Sequence, residues 1–351
     1  CPRQQQSDRR PMISIQMTAA DWLTLFMAGV VAFAVGMYVV LDGLDLGVGI
    51  LFPFADDDAQ RDQMMNSIAP FWDGNETWLV LGGAILLSAF PLAFAVILPA
   101  VYLPIIVMLL GLIFRGVAFE FRFKHHPRIW DVAFAAGSMI ATFAQGVVLG
   151  TFVQGIKMEN FQYAGGPWDW LTPFSIVTGV ALLCGYALLG NTWLFWRSHG
   201  TLQEKARTWM PVLLVGMLAA IAAISIWTPL MSSAIAARWF DFPKSLAFAP
   251  VPVLTAACAW GAYRAIKKTP SAVPFVLCVG LFFLGYSGLA ISIFPRLPPP
   301  SLTLFAAAAS PESQRFLLPG LVILVPLILI HTWVNYRVFH VKSEDDAGYG
   351  H

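Results

Sequence analysis

Acidic side chains stand beside long apolar segments at two places in the first quarter of the chain. Asp42 and Asp45 close the first apolar run, and Asp73 and Glu76 precede the second. The members of each pair are three residues apart, so on a helix their carboxylates share one face. A carboxylate at a membrane costs free energy unless it pairs with a base, is hydrated or takes part in the protein's function. If these acids do chemistry, it is proton transfer. The alternative, that they cap helices and carry surface charge near the headgroups, explains them equally well.

Arg115, Asp131 and two tryptophans carry a similar ambiguity. Arg115 closes the third apolar run, where it either snorkels to the membrane surface, pairs with a buried acid or contacts an anionic group of a partner. Snorkelling is the slightly better explanation on spacing alone. Asp131 opens the next run with the same alternatives. Trp72 and Trp78 lie six apart, and anchoring at the membrane interface is the simplest account of both.

Other kinds of chemistry find little support in the residues. Proteins bind haem iron through His, Met, Cys or Tyr, and of six histidines only His331 lies within an apolar run. The four cysteines form no CxxC pair, and neither a P-loop nor a GxSxG motif occurs. The net charge of +1 gives no reason to expect a nucleic acid partner. We therefore expect no haem, copper or other metal to be held by this chain alone.

The composition predicts a polytopic α-helical membrane protein. The 351 residues are 58% hydrophobic and 12% charged, and the charged share is about half that of a soluble domain. The apolar residues fall in runs of about 20, which is the length that a helix needs to cross a bilayer. The expected spans are 22–41, 76–97, 98–119, 130–153, 171–196, 209–232, 247–264, 273–294 and 316–336.

Lysine and arginine predict the orientation of these spans. One set of alternate loops carries 12 of them and the opposite set carries five, so the first set is expected to be cytoplasmic, together with the C-terminus. If 76–119 crosses twice, there are nine spans, the N-terminus is outside and the 42–75 loop is cytoplasmic. A single crossing gives eight spans and reverses both conclusions. Nine is preferred because one crossing leaves about 20 apolar residues to place elsewhere.

The chain is expected to form one transmembrane domain over residues 17–342. It begins with Cys, and Met12 and Met17 offer later natural starts. Residues 1–16 are therefore interpreted as an N-terminal extension that need not be native. Residues 343–351 are expected to be a disordered cytoplasmic tail.

Taken together, several ordered motifs resemble subunit II of the cytochrome bd-type quinol oxidase family. The first third of the chain carries the specific ones, and weaker similarity reaches the C-terminus. The compact loops and the PESQ piece at 311–314 look more like the cyanide-insensitive branch. The specific motifs are VLDGLDLGVG at 40–49, NSIAP at 66–70, WDGN at 72–75 followed by Trp78, AFP at 89–91 and FRGVAFEFR at 114–122.

The resemblance implies an all-α membrane fold of two four-helix bundles plus one peripheral helix, in the bacterial inner membrane. It implies a heterodimer with a subunit I that binds the haems and the quinol, so that this chain holds no complete active site. The complex would reduce dioxygen to water with cytoplasmic protons. Some members also hold a structural quinone in this subunit. A small accessory subunit is the further partner that the sequence leaves open.

The resemblance also implies roles for single residues. Asp42 and Asp73 match acidic positions of a proton path, and Trp78 matches a position near a proposed oxygen channel. Residues that match positions linked to the subunit interface or to haem assembly are Asp45, Trp72, Arg115 and Asp131.

One departure and two rival functions remain at this stage. The family shows a Trp-Asp pair where this chain has Phe305 and Ala306, which puts any role of that acid in question here. The rival functions are a stand-alone proton-coupled transporter or channel and a purely structural scaffold. The acids lie at the ends of the expected spans rather than in their middle, which speaks against the transporter.

Overall fold

The computed structural model describes residues 18–125, 128–243 and 245–338. The expected extension at 1–16 and tail at 343–351 lie outside the described residues. Almost all of the described chain is helical, and a short hairpin interrupts it between two long helices. The elements are α1 (Ala19–Leu51), α2 (Asp58–Asn66), α3 (Trp72–Ala89), α4 (Pro91–His125), α5 (Arg128–Gln154), β1 (Met158–Glu159), β2 (Gln162–Tyr163), α6 (Pro173–Arg197), α7 (Gly200–Met231), α8 (Ser233–Phe240), α9 (Ser245–Phe248), α10 (Pro250–Ile266), α11 (Val273–Ile293), α12 (Leu304–Ala307) and α13 (Pro311–Val338), with a 3₁₀ turn at Phe52–Phe54.

Within the described residues, eight helical segments are long and apolar enough to cross a membrane: α1, α4, α5, α6, α7, α10 with α9, α11 and α13. Helix α3 is a ninth long helix whose first turns are polar. Its 18 residues span about 27 Å. Asn75 near its start reaches Tyr336 near the end of α13, while the Ala89 carbonyl at its end accepts from the Ala309 amide just before α13. Helix α3 therefore contacts the segment of α13 near both of its own ends, which favours two crossings over 76–119.

The break between these two crossings lies earlier than the expected boundary at 97–98. Phe90 leaves the helical conformation (φ −133°, ψ 56°), and Pro91 begins α4. Proline suits a first helical position because its missing amide hydrogen is not needed there. Pro99 and Pro104 lie inside α4, where the backbone is distorted at Val101 (φ −126°, ψ 20°). The prolines thus break the segment once and bend it once.

Helix α1 ends ten residues beyond the expected span 22–41. It continues through both acids to Leu51 because it packs closely on α6. A Cβ at Gly47 would lie 1.9 Å from the Tyr186 carbonyl oxygen, so only glycine permits this contact. Glycine at this position lets the two helices approach closely. Asp42 and Asp45 therefore lie inside a helix and not at its end, which corrects the expectation that the acids border the spans.

The long helices form two groups of four. Helices α1, α3, α4 and α5 make the first group, and α6, α7, α10 and α11 make the second. The groups join where α6 packs against α1 and α5, and α13 packs outside the first group against α3 and α1. The predicted fold of two bundles plus a peripheral helix is confirmed.

The loops meet in two sets at opposite ends of the bundle. At one end Lys205 contacts Asp56 at 2.5 Å, and Gln63 contacts His199. We call this end, where the loops after α1, α4, α6 and α10 lie, the basic end, because it carries most of the lysines and arginines. The hairpin β1–β2 lies at the other end. The basic end is the one that the charge distribution predicts to be cytoplasmic.

Candidate functional site: a buried cluster of acids around Arg115

Arg115 lies in the interior of the first bundle and does not snorkel. Its side chain is 2% exposed, and its Nη1 donates to Asp42 Oδ1 at 2.7 Å. Its Nη2 donates to Glu76 Oε1. Asp42 is fully buried, and the side chain of Glu76 is 30% exposed. The guanidinium of α4 therefore bridges an acid of α1 and an acid of α3, and such charge-assisted bonds are strong when desolvated.

Asp45 lies one turn beyond Asp42 on α1 and is also fully buried. The side-chain amide of Asn75 donates to Asp45 Oδ2 at 2.8 Å. The same amide nitrogen lies 3.2 Å from the Tyr336 hydroxyl oxygen, which brings α13 into contact with the site. Asp45 has no ion pair in the described residues, although Arg115 stabilises its charge from a distance. We call Asp42, Asp45, Asn75, Glu76 and Arg115 the Arg115 cluster.

The Arg115 cluster leaves several buried polar atoms without a hydrogen-bond partner among the described residues. They are Asp42 Oδ2, Asp45 Oδ1 and Arg115 Nε. Unpartnered polar atoms are rare in protein interiors, and they mark hydrated or functional sites. Three carboxylates also share a single guanidinium here. Charges that stay unbalanced in a dry interior are very costly, so this arrangement favours the exchange of protons.

Asp73 connects the cluster to the surface. It lies exposed in the first turn of α3, at the basic end. Glu76 follows three residues later and therefore shares a helix face with it. The order from the surface inward is Asp73, Glu76, Arg115 and Asp42. Of the two acids expected on a proton path, the structure thus places Asp73 at the surface and Asp42 at the buried end.

A second arginine, Arg122, lies seven residues along α4 from Arg115. It is buried, donates from Nε to Asp131 Oδ1 at 2.6 Å and pairs with Asp62 through Nη1. Arg61 also approaches Asp131 at 3.9 Å. We call Arg61, Asp62, Arg122 and Asp131 the Arg122 cluster. It fastens α2 to α4 and α5, and it does not include the acids of the Arg115 cluster.

The two tryptophans occupy different environments. Trp72 is half-buried, and its ring lies 5.3 Å from the ring of Phe119. Trp78 is fully buried and meets Phe33 edge to face at 5.6 Å, with its Nε1 unpartnered. Anchoring at the membrane interface is therefore wrong for Trp78, since none of its surface is exposed. Sequence reasoning from spacing could not distinguish the two positions.

Three residues that the structure brings into this site were not predicted as site residues, although Glu76 was named among the four acids. Glu76 had a signal, because it follows Asp73 at helical spacing. Asn75 had a weaker one, since it lies in the same motif. Tyr336 had none, because it lies 261 residues from Asn75 in the chain.

Metal-ligating side chains are not grouped in the part of the chain that the structure describes. No set of three or more His, Cys, Asp or Glu residues there has a metal-binding arrangement. His331 is exposed on α13, where it lies 3.4 Å from Asn335.

Electrostatics outside the helices concern surface pairs. The Lys205 ammonium donates to the exposed Asp56 carboxylate and holds the pKa of that carboxyl below its usual range. At the opposite end, Lys157 lowers the pKa of Asp169 in the same way. Both pairs are solvated, so they mark the two polar ends and contribute little to stability.

A family model supports the same conclusion as the motifs. The model described as cytochrome bd terminal oxidase subunit II matches residues 23–339. The chain is 27% identical to cytochrome bd-I ubiquinol oxidase subunit 2 of Escherichia coli (strain K12), over 95% of this chain and 98% of that protein. It is 28% identical to cytochrome bd ubiquinol oxidase subunit 2 of Bacillus subtilis (strain 168), over 87% of this chain and 92% of that protein.

A solved structure has the same fold. It is the structure of bd oxidase from Geobacillus thermodenitrificans, in which one chain matches with a TM-score of 0.74. The match covers 91% of this chain and 98% of that one, at 14% identity.

Proposed function

The chain belongs to the family of subunit II of the cytochrome bd terminal oxidases, and from that premise we propose that it delivers protons to its partner. It is a multi-pass protein of the bacterial inner membrane and a subunit of an oxygen-reducing quinol oxidase. In the proposal, a haem-bearing subunit I binds the quinol and reduces dioxygen to water. This chain supports subunit I and supplies a proton path from the cytoplasm.

The observation that best supports this proposal is that Arg115 bridges Asp42 and Glu76. These residues come from α1, α4 and α3, and two of the three are fully buried. A structural ion pair needs one acid for one base, whereas this arginine serves three acids if Asp45 is included. An excess of buried acid is what a proton-holding site requires, because an incoming proton relieves the imbalance.

The path begins at the basic end of the bundle. Asp73 is exposed there, and Glu76 lies one turn further in with its side chain 30% exposed. Protons would reach Glu76 through Asp73 and pass to Asp42 around the guanidinium of Arg115. Arg115 keeps its charge throughout and holds the two acids in position.

The remaining residues have supporting roles in this proposal. Asp131 braces α5 against Arg122, and Trp72 packs on Phe119 beside the path, so both support assembly with subunit I. Asp45 supports the interior of the same site. Trp78, fully buried against Phe33, remains a prediction for the oxygen channel.

A stand-alone proton-coupled transporter is the second candidate. The structure gives this candidate one observation that the sequence did not, since Asp42 and Asp45 lie within α1 rather than at its end. Acids inside a helix mark proton relays in transporters as well. The two candidates differ in their partner, and purification decides between them.

The test is a gentle purification followed by activity measurements. We expect the chain to co-purify with a haem-bearing membrane subunit, and the complex to consume oxygen when quinol is added. Asp73→Asn should lower that oxygen uptake about threefold or more at unchanged haem content, because it removes a proton-transfer group. Asp241→Asn, at an exposed acid far along the chain, is the matched control and should change nothing.

Three outcomes would contradict the proposal. Unchanged turnover in Asp73→Asn would favour a purely structural scaffold. Proton-coupled transport by the chain reconstituted without a partner would favour the transporter. Haem absorbance in the isolated chain would contradict the assignment of the haems to subunit I.

A further inference from the structure

A string of hydrogen-bonded side chains reaches the Arg115 cluster from the interior of the protein. The Tyr186 hydroxyl on α6 donates to Gln145 Oε1 on α5 at 2.9 Å. The Gln145 Nε2 donates to the Tyr38 hydroxyl oxygen on α1 at 2.7 Å. Tyr38 and Tyr186 are buried, and the string joins three helices of the two bundles.

The bonds of this string all point the same way. Gln145 occupies the lone pair of Tyr38, so the hydroxyl proton of Tyr38 remains to be donated elsewhere. Asp42 lies four residues further along α1, on the same face, and its carboxylate interacts electrostatically with the Tyr38 hydroxyl. Asp42 Oδ1 is taken by Arg115, and Asp42 Oδ2 is buried without a partner.

Packing fixes the far end of the string. The Tyr186 ring lies against the backbone of α1 at Gly43, where a Cβ would come within 2.5 Å of the ring. Only glycine lets the ring lie there, so the ring cannot shift without moving α1. The Tyr186 hydroxyl is thus held in place, and it orients the Gln145 amide.

We propose that Tyr38, Gln145 and Tyr186 are positioning residues that aim the Tyr38 hydroxyl at the free Oδ2 of Asp42. This inference rests on the proposed function, in which Asp42 is the buried proton carrier. Arg115 then fixes one carboxylate oxygen and Tyr38 the other. The carboxylate keeps the orientation in which it exchanges protons with the Glu76 side of the site.

The string is not itself a conduit. A relay of protons needs groups that donate and accept in turn, and the side-chain amide of Gln145 donates through nitrogen and accepts through oxygen. It cannot pass a proton onward without forming an unstable tautomer. The string therefore does not carry the path beyond Asp42 between α1, α5 and α6.

The experiment uses the assembled oxidase with Tyr38→Phe, Gln145→Leu and their double variant. Tyr38→Phe removes one hydroxyl and should lower kcat for oxygen uptake about five- to tenfold, which is the loss expected for one ordinary hydrogen bond. The KM for quinol should not change. Gln145→Leu should lower kcat less, by about threefold, because it acts only through Tyr38.

The double variant tests the order of the string. If Gln145 works through Tyr38, Tyr38→Phe with Gln145→Leu should be no slower than Tyr38→Phe alone. The solvent isotope effect on kcat should rise in both single variants, which a merely structural role would not produce. Tyr286→Phe is the matched control, since it also removes a hydroxyl that bonds within the protein, to the Ala32 carbonyl, and it should leave kcat unchanged.

Asp42→Asn distinguishes a failure of the positioning role of Tyr38 from a failure of the proposed proton path. If Asp42→Asn greatly lowers turnover and Tyr38→Phe does not, the positioning role is wrong while the proton path stands. If Asp42→Asn leaves turnover unchanged, the proposed function itself fails. Additive losses in the double variant, or a changed KM with constant kcat, would also overturn the positioning role.

Discussion

Two buried arginines on helix α4 have different roles in this protein. Arg115 and Arg122 lie seven residues apart on α4, and each binds two carboxylates from other helices. Around Arg115 the acids outnumber the bases by three to one, counting Asp45, and polar atoms stay unpartnered. Around Arg122 a second arginine, Arg61, brings the charges nearer to balance. Arg61 also pairs with Asp58, and the side chains of Asp58 and Asp62 are 83% and 43% exposed.

The Arg115 and Arg122 clusters differ in two properties, the balance of acids and bases and the access of water. A balanced and partly hydrated cluster is a brace, because no proton is needed to neutralise it. A largely buried cluster with more acids than bases has to bind a proton, or a partner has to neutralise its excess negative charge. The Arg122 cluster is therefore the control for the Arg115 cluster.

The largest effect is expected from Arg115→Gln. It leaves two buried acids and the half-buried Glu76 without their base, and breaking a buried ion pair costs about 3–5 kcal/mol. Little assembled complex should be recovered, as measured by the haem content of the purified membrane fraction. Arg122→Gln should lose less, since Arg61 still balances Asp131. Recovery from Arg115→Gln that equals that of wild type would contradict the charge imbalance.

The compensating variant sharpens this result. Arg115→Gln combined with Asp42→Asn removes one base and one acid together, so some assembled complex should return. The recovered complex should still turn over slowly, since the proton carrier is gone. A double variant that is as poorly assembled as Arg115→Gln alone would mean that Arg115 acts through packing and not through charge.

An intermediate effect is expected from Asp131→Asn in the brace. Asp131 loses its charge but can still accept a hydrogen bond from Arg122, so the thermal midpoint of the complex should fall by a few degrees. Turnover per haem should stay at the wild-type value. Loss of turnover at normal stability would show that the Arg122 cluster also serves the proton path.

The smallest effect is expected at the surface of the basic end. Asp56 is exposed, and Lys205 lowers its pKa, so this pair contributes stability above the usual pKa of aspartate and loses it as the pH falls through the lowered value. Asp56→Asn should shift the thermal midpoint at pH 7 by about one degree or less. Any larger shift would mean that the loop between α1 and α2 is held chiefly by this pair.

The spans and the family could be predicted from the sequence, because hydropathy and short motifs are local properties. The end of α1 could not. Its glycines and aspartates have low helix propensity, and only packing against Gly190 on α6 keeps the helix going to Leu51.

The contents of the site were harder to predict than its existence. Arg115 and Asp42 lie 73 residues apart, so spacing could not show that they pair. The same limit applied to Tyr336 and to the string through Gln145. Trp78 was misjudged for a related reason, since an aromatic residue near the end of an apolar run can face either the lipid or the core. Long-range contacts decide each of these cases.

Asp42→Asn in the assembled oxidase tests the central claim most directly. The substitution keeps the shape and the bond from Arg115 but removes the group that takes up a proton. The measurement is quinol-dependent oxygen uptake per haem, with Asp131→Asn as the matched control in the brace. We expect a loss on the order of tenfold to a hundredfold at normal haem content for Asp42→Asn alone. Equal turnover in the two variants would contradict proton delivery through the Arg115 cluster.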